Sequence, residues 1–399
     1  MIRNSYIPTS WNWVALGDIC KIIGGKPAPQ DQEAFCANGI PFVRMKDLGA
    51  YHLTTNLIKV TDAIDVAYAK KKNLVPIKRG AILLPRSGSV ALNHRAILGV
   101  DAIIVSHICA LEVASPQVFN VYLYYYLTQI GMETFTKKTT GLDAITFEDL
   151  SKVQIPLPSL DEQRRIAAIL DKSDVICCKR QESIRLAEEF LRSTFLEMFG
   201  DPESNPKEWD KVPIKELGNV TTGNTPSREC SDYYGEGIEW IKSDNINTPF
   251  HFLTEAKEHL TPAGQRVGRI VPENSTLVTC IAGSPECIGN AAIANRPVAF
   301  NQQINAVTPF KGTDPYFLYV QVLVAKKLIQ GQSTESMKGM VSKGKFENIQ
   351  FLKPPANLQT EFGKIFIRFH NMIQKAGSSN QQSTNLFNSL VQRAFRGEL

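Results

Sequence analysis

Two parallel sets of hydrogen-bonding forks and cations run along this chain, and they are its side chains best suited to meet base edges or phosphates. Arg44 and Lys46 answer to Lys242 and Asn245. The turn Arg86-Ser87-Gly88-Ser89 answers to Ala282-Gly283-Ser284, and Ser106-His107 aligns with Gln302-Gln303. Asn93-His94-Arg95 and Lys137-Lys138-Thr139-Thr140 add polar and basic loop chemistry. Arginine offers a donor fork to guanine, asparagine and glutamine pair with adenine, serine and threonine suit either, and lysine neutralises phosphate. Different side chains at matched positions are what two readers of different sequences would carry. Any one of them alone is an ordinary solvated loop residue, so the argument lies in the set.

Other chemistry is poorly supported. The eight cysteines include no Cys-x-x-Cys pair, and Cys177-Cys178 are adjacent, which suits small thiols in a reducing compartment better than zinc or disulfides. No His-x-x-x-His, Gly-rich phosphate loop or Gly-x-Gly-x-x-Gly occurs. An Asn/Asp-Pro-Pro-aromatic cluster, of the kind that holds a flipped adenine, is also missing. Glu255-Ala256-Lys257 with Asp244 upstream faintly resembles a nuclease set and reads better as a solvated surface segment. Neither a catalytic nor a metal site is expected. The net charge of +5 is mild; residues 1–159 carry 16 basic and 12 acidic side chains, net +4, and residues 200–355 carry 16 and 17, net −1. Only the first segment is even weakly basic, so charge alone does not lead to DNA.

The elements that must hold these loops are organised by an internal repeat. Pro8-x-x-Trp11-x-x-Val14 recurs as Pro206-x-x-Trp209-x-x-Val212, and Ile40-Pro41-Phe42-Val43-Arg44 as Ile238-Glu239-Trp240-Ile241-Lys242, both offset by 198. Further on the offset settles at 196, pairing Val75-Pro76 with Val271-Pro272, Gln163 with Gln359 and Leu191 with Phe387. Each copy opens with short strands and loops, including apolar runs at 81–84 and 103–105. A helix follows at 118–130 or 315–330, the latter capped by Asp314 with Pro315 in first place. Phe119, Tyr122, Tyr124, Tyr125 and Tyr126, with Phe317, Tyr319 and Leu323 in the sister copy, read as core and not as stacking platforms.

Proline-punctuated linkers then lead into two long helices with a near-heptad apolar stripe, the first opened by the capping box Ser159-x-x-Glu162. About 40 residues at ~1.5 Å rise make a rod of roughly 60 Å. Gly377-Ser378-Ser379-Asn380 weakens the second helix and predicts a bend or poor order there. The expected fold is α+β: two tandem mixed α/β domains at 1–155 and 201–353, with long helices at 156–200 and 354–399. These pack antiparallel across a pseudo-two-fold axis. No apolar run approaches a membrane span, and the expected location is cytoplasmic.

Several segments carry a resemblance. Phe190-Leu191-Arg192-Ser193-Thr194-Phe195-Leu196-Glu197-Met198-Phe199-Gly200-Asp201-Pro202 and Leu386-Phe387-Asn388-Ser389-Leu390-Val391-Gln392-Arg393-Ala394-Phe395-Arg396-Gly397-Glu398-Leu399 end the two helices. Ile155-Pro156-Leu157-Pro158-Ser159-Leu160-Asp161-Glu162-Gln163-Arg164-Arg165-Ile166-Ala167 begins the first, and Trp11-x-x-Val14-x-Leu16-Gly17-Asp18-Ile19 opens the chain. Over its full length the sequence resembles the specificity subunits of Type I restriction-modification systems. It departs at Pro354-Pro355-Ala356-Asn357-Leu358-Gln359, which lacks the Glu-Gln pair and leaves that helix's capping open.

The resemblance implies a non-catalytic, double-stranded-DNA-binding chain whose two domains each read half of a split target. Its helices would set the spacing and dock two modification subunits. Those subunits would hold S-adenosylmethionine and methylate adenine, and separate restriction subunits would use ATP and Mg; no cofactor belongs to this chain. The rival reading is a helical protein–protein adaptor without DNA readout, which salt-dependent duplex binding separates.

Overall fold

Asn12–Ala15 and Gln154–Leu157, both extended beside turn-forming residues, pair antiparallel and tie the beginning of the first domain to its end. Lys211–Pro213 and Gln350–Leu352 do the same in the second. The computed structural model describes residues 7–51, 54–87, 93–130, 144–248, 250–334 and 339–399. The chain forms two units, Met1–Arg180 with Ser379–Leu399, and Gln181–Ser378.

Inside the first unit a five-stranded sheet is centred on Ile82–Pro85, with Ile108–Val113 beside it and Cys20–Gly24 at one edge. A second sheet sets Phe35–Val43 between Asp62–Ile64, antiparallel, and Ile103–Ile104, parallel. The second unit repeats this plan: Ile304–Pro309 lies between Gly218–Thr222 and Thr276–Thr279, and Tyr234–Ile241 between His259–Leu260 and Val298–Phe300. Both long strands are bulged, between Phe35 and Ile40 and between Tyr234 and Ile238. The repeat is therefore one of folds.

Ladder registers correct its alignment at one stretch. Arg86 N–H donates to His107 O and Cys280 N–H to Gln303 O, while Ser87 bridges Ala144 and Ile281 bridges Met340. Arg86 thus answers to Cys280 and Ser87 to Ile281, an offset of 194, and by the same ladder Ile77, not Val75, answers to Val271. The stretch that follows has two more residues in the second unit. The offset of 196 returns at Asn93 and Gly289, both left-handed with φ of 51° and 82°, a conformation that asparagine and glycine tolerate.

Each unit folds its strands against a short apolar helix and the ends of two long ones. The short helices are α1 (Asn120–Gln129) and α3 (Pro315–Val324); the long ones are α2 (Leu160–Phe199) and α4 (Ala356–Ala394). Asp314 caps α3 as expected, accepting from Tyr316 N and Phe317 N at 3.0 Å. Tyr122, Tyr124, Tyr125 and Tyr126 are core, packed in the first unit with Ile166, Leu170, Val391 and Phe395. There the start of α2 runs antiparallel to the end of α4: Arg165 bonds Leu399 O at 2.5 Å, and Arg180 bonds Ser379 O and the Ser383 hydroxyl. In the second unit Phe195 and Phe199 of α2 meet Phe317 of α3 and Phe362 of α4. The stripe is buried at the helix ends but loosens midway, where Ile176 and Met372 are exposed. α4 is helical through 377–380, where the sequence predicts a weakness.

The matched glutamines explain how each long helix starts. Gln163 is buried, accepts Phe119 N–H at 2.8 Å and donates to Gln117 O and Pro158 O. Gln359 is buried likewise, accepts Asp314 N–H at 3.1 Å and donates to Pro354 O. The second helix keeps this glutamine without the preceding glutamate. In the first, only half of the capping box forms: Ser159 Oγ accepts Glu162 N–H, while the Glu162 carboxylate pairs with Arg165. Gln163→Leu conserves bulk but strands buried polar groups, and is expected to cost the first unit about 2–3 kcal/mol in denaturant unfolding. A cost below ~0.5 kcal/mol would show that the amide holds nothing.

Burial, with Asp171 nearby, pushes the Asp174 carboxyl up to about 6. A raised carboxyl favours the protonated folded state, so its stabilisation is complete below the unfolded value near 4 and lost as pH rises through about 6. Asp174→Asn is therefore expected to stabilise the first unit at pH 7.5 by about 1 kcal/mol after allowing for partial exposure, seen as a higher melting temperature, and to change little at pH 4. Equal effects at both pH values would contradict the assignment.

Candidate nucleic-acid interface

In each unit a parallel strand pair sends its two chain exits out of the same sheet end. Phe42 and Val43 pair with Ile103 and Ile104, and Val105 N–H bonds Val43 O at 3.1 Å. Trp240 and Ile241 pair with Ala299 and Phe300, and Asn301 N–H bonds Ile241 O at 3.0 Å. The segments after Val43 and Val105, and after Ile241 and Phe300, are thereby held side by side.

This brings together much of the set read from the sequence. In the first unit Arg44 and Lys46 leave one exit and His107 the other. The His107 ring bonds Ser87 Oγ at 2.7 Å, and its carbonyl accepts Arg86 N–H at 2.8 Å. The exposed Arg86 guanidinium lies 4.7 Å over Phe147. In the second unit Lys242 leaves one exit, Gln302 and Gln303 the other. Gln302 Oε1 accepts from the Thr225 hydroxyl and Gln303 Oε1 from Asn301 at 3.2 Å. Exposed Ser284 bonds Glu286 at 3.1 Å beyond the strand Ile281–Ala282.

Arg95, Asn93 and Asn245 face inward, and His94 is partly covered. Arg95 is fully buried, its Nε donating to Asn93 O at 3.2 Å and its charge acting on Tyr124, so it is a core residue that meets no base as placed. Asn93 donates to Thr128 O of α1 at 3.2 Å, fixing the turn to the domain's own helix; His94 is half-buried beside Gly49. Asn245 is a buried cap: it accepts Lys242 N–H at 3.0 Å and donates to Glu255 O at 2.9 Å. Its counterpart is Asp47, which accepts Arg44 N–H at 2.8 Å, and not Lys46. Lys137, Lys138, Thr139, Thr140, Gly88 and Ser89 lie outside the described residues.

Around Arg44, Lys46 and Lys242 the structure adds partners that the sequence did not reveal. In the first unit Arg44 lies 5.3 Å from the rings of Phe35 and Phe42 and is paired with Asp62, which Lys46 also approaches at 3.8 Å. In the second, Arg228 lies 4.1 Å from Tyr234 and 4.9 Å from Trp240, and Lys242 5.1 Å from Trp240. Both cations bond Glu258, Arg228 at 2.7 Å, and hold its carboxyl below the usual range. The ladders make Asp62 and Glu258 cross-strand partners of Phe42 and Trp240. The available signal was an aromatic pair bracketing a glycine-containing bulge; the cation of the second pair comes from a separate loop.

Among the described residues no group of three His, Cys, Asp or Glu side chains is placed to hold a metal ion, and no helix is long and apolar enough to cross a membrane. A family model described as the Type I restriction modification DNA specificity domain matches residues 8–186 and again 206–381. The chain belongs to this family. Its two matches fall one on each copy of the repeat. The chain is 24% identical over 205 residues to the Type I restriction enzyme HindI specificity subunit of Haemophilus influenzae, covering 49% of this chain and 42% of that one. To the MjaVIII specificity subunit of Methanocaldococcus jannaschii it is 25% identical over 257 residues, 60% and 56% of the two chains. It thus spans about half the length of the curated relatives it matches. In fold it is similar to the S subunit of a Type I restriction-modification system from M. genitalium, with TM-score 0.58 at 15% identity over 99% of this chain and 98% of that one.

Proposed function

We propose that this chain is a DNA-binding specificity subunit of a Type I restriction-modification assembly, and that each unit reads one half of a bipartite target. The observation that carries the reading is the pair of matched strand exits. They are built on the same ladders, yet offer Arg44, Lys46, Arg86, Ser87 and His107 in one unit and Lys242, Ser284, Gln302 and Gln303 in the other. A repeated scaffold with divergent donors and acceptors at one end suits two different base sequences, since base edges are told apart by donor and acceptor pattern. The long helices fix the interval between the readers and offer docking surface to two modification subunits. The chain is not an enzyme on this reading: S-adenosylmethionine, ATP and Mg belong to its modification and restriction partners, whose assembly methylates adenine and cuts DNA.

Duplex binding by the chain with its modification partners tests this. Affinity for a target duplex is expected to fall steeply with salt, as phosphate contacts release counterions, and to exceed that for a scrambled duplex by about 10³ or more. Equal affinity for both duplexes, or no salt slope, would leave a protein–protein adaptor as the better description. In calorimetry the isolated chain is expected to take up no S-adenosylmethionine; stoichiometric uptake would contradict the division of labour.

A further inference from the structure

We propose that Arg228 reads a guanine for the second unit, held in position by Glu258 over the faces of Tyr234 and Trp240. This rests on the DNA-reading function proposed above.

The cluster exceeds what the fold needs. The strand Tyr234–Ile241 is already held by backbone pairing to His259–Leu260 on one side and Val298–Phe300 on the other. A clasp between Trp240 and Glu258 would need one cation, and Lys242 supplies it. Arg228 arrives from a different loop, and its side chain stays half exposed. That loop is tied to the strand exits: Pro226 O accepts the Tyr234 hydroxyl at 2.6 Å, Asn224 O accepts Trp240 Nε1 at 3.2 Å, and the Thr225 hydroxyl bonds Gln302. The loop that carries Arg228 is therefore bonded directly to Gln302 through Thr225.

The chemistry favours a base over a phosphate. A guanidinium has five N–H donors in a rigid fork, and stacking on aromatic rings fixes its plane before a partner arrives. The O6 and N7 acceptors of guanine match that fork. A phosphate would bring a full negative charge close to the ionised Glu258, whereas a base edge brings only partial charge; Glu258 thus penalises the non-specific contact. In the first unit Arg44 stands at the position of Lys242 and pairs with Asp62, which Lys46 of the same helix turn also approaches, and no counterpart of Arg228 joins them among the described residues.

The test uses the full chain co-expressed with its modification subunits, reading methylation across a plasmid library with every position of the target varied. Arg228→Ala is expected to relax preference at one guanine of one half-site by roughly 5- to 150-fold and leave the other half-site unchanged. Arg228→Lys is expected to relax the same position, because lysine keeps the charge but loses the fork. Glu258→Gln is expected to keep the guanine preference while binding scrambled duplex more tightly, with a steeper salt slope. A uniform loss over all sequences in Arg228→Ala, largely restored in Arg228→Lys, marks a phosphate contact and overturns the proposal. Unchanged preferences in both Arg228 variants leave only a structural clasp and overturn it too. If the unaltered chain directs no sequence-specific methylation, the functional reading fails instead, and the two failures are distinct.

Discussion

Phe195→Ala is expected to destabilise the second unit by about 3–5 kcal/mol and to leave the first nearly untouched. Phe195 has no exposed surface and sits among Phe199, Phe317 and Phe362, with ring centroids 5.1–5.8 Å away. Three elements, α2, α3 and α4, therefore lose packing at one point, and a rigid aromatic cluster cannot collapse to refill the space. Phe190, little more than one helical turn earlier, is 62% exposed. Its replacement by alanine is expected to stay within about 0.5 kcal/mol in the isolated chain. Hydrogen exchange resolved by segment checks both: faster exchange confined to 181–378 in Phe195→Ala supports the division into units. Equal acceleration around Ile82–Pro85 and Ile108–Val113 would show that the two cores melt as one.

Gln302→Ala with Gln303→Ala is expected to relax recognition in one half of the target only, and Arg86→Ala in the other half only. The residues stand on different units, share no hydrogen-bond partner among the described residues, and changes at sites without common partners act almost additively. Each lost bidentate base contact is worth ~1–3 kcal/mol of discrimination, so the double glutamine variant should lose tenfold or more at its own base pairs. Methylation profiles over a randomised target read this out. Altered preferences in both halves from either variant would contradict modular reading, and a uniform loss across sequences would assign these residues to phosphates.

How far these residues could be seen without the structure depended on the physics each one obeys. Repeated Pro, Trp, Gln and aromatic landmarks reveal two copies, and a capping box and an apolar period of about 3.5 reveal the long helices, because those signals are local. Asp314 before Pro315 announces a helix start for the same reason. Arg95 misleads because arginine is rarely buried whole. Asn245 misleads because a polar residue after a strand suits a cap as well as a reader, and only the Lys242 N–H, Thr254 and Glu255 partners decide it. The Arg86 correspondence slips by two because a polar turn of unequal length has no apolar period to anchor it. The Arg228 cluster depends on three separate stretches meeting across a bulged strand, a long-range arrangement with no local pattern.

The most direct test of two readers on one chain is base-resolution sequencing of adenine methylation in a host that carries this chain with its modification subunits, against the same host without it. The account predicts methylation that depends on the chain and falls on an asymmetric target: two short specified blocks separated by a fixed number of unspecified base pairs, one block changing with Arg86 and the other with Gln302. A single uninterrupted motif, or methylation that persists unchanged when this chain is removed, would contradict it.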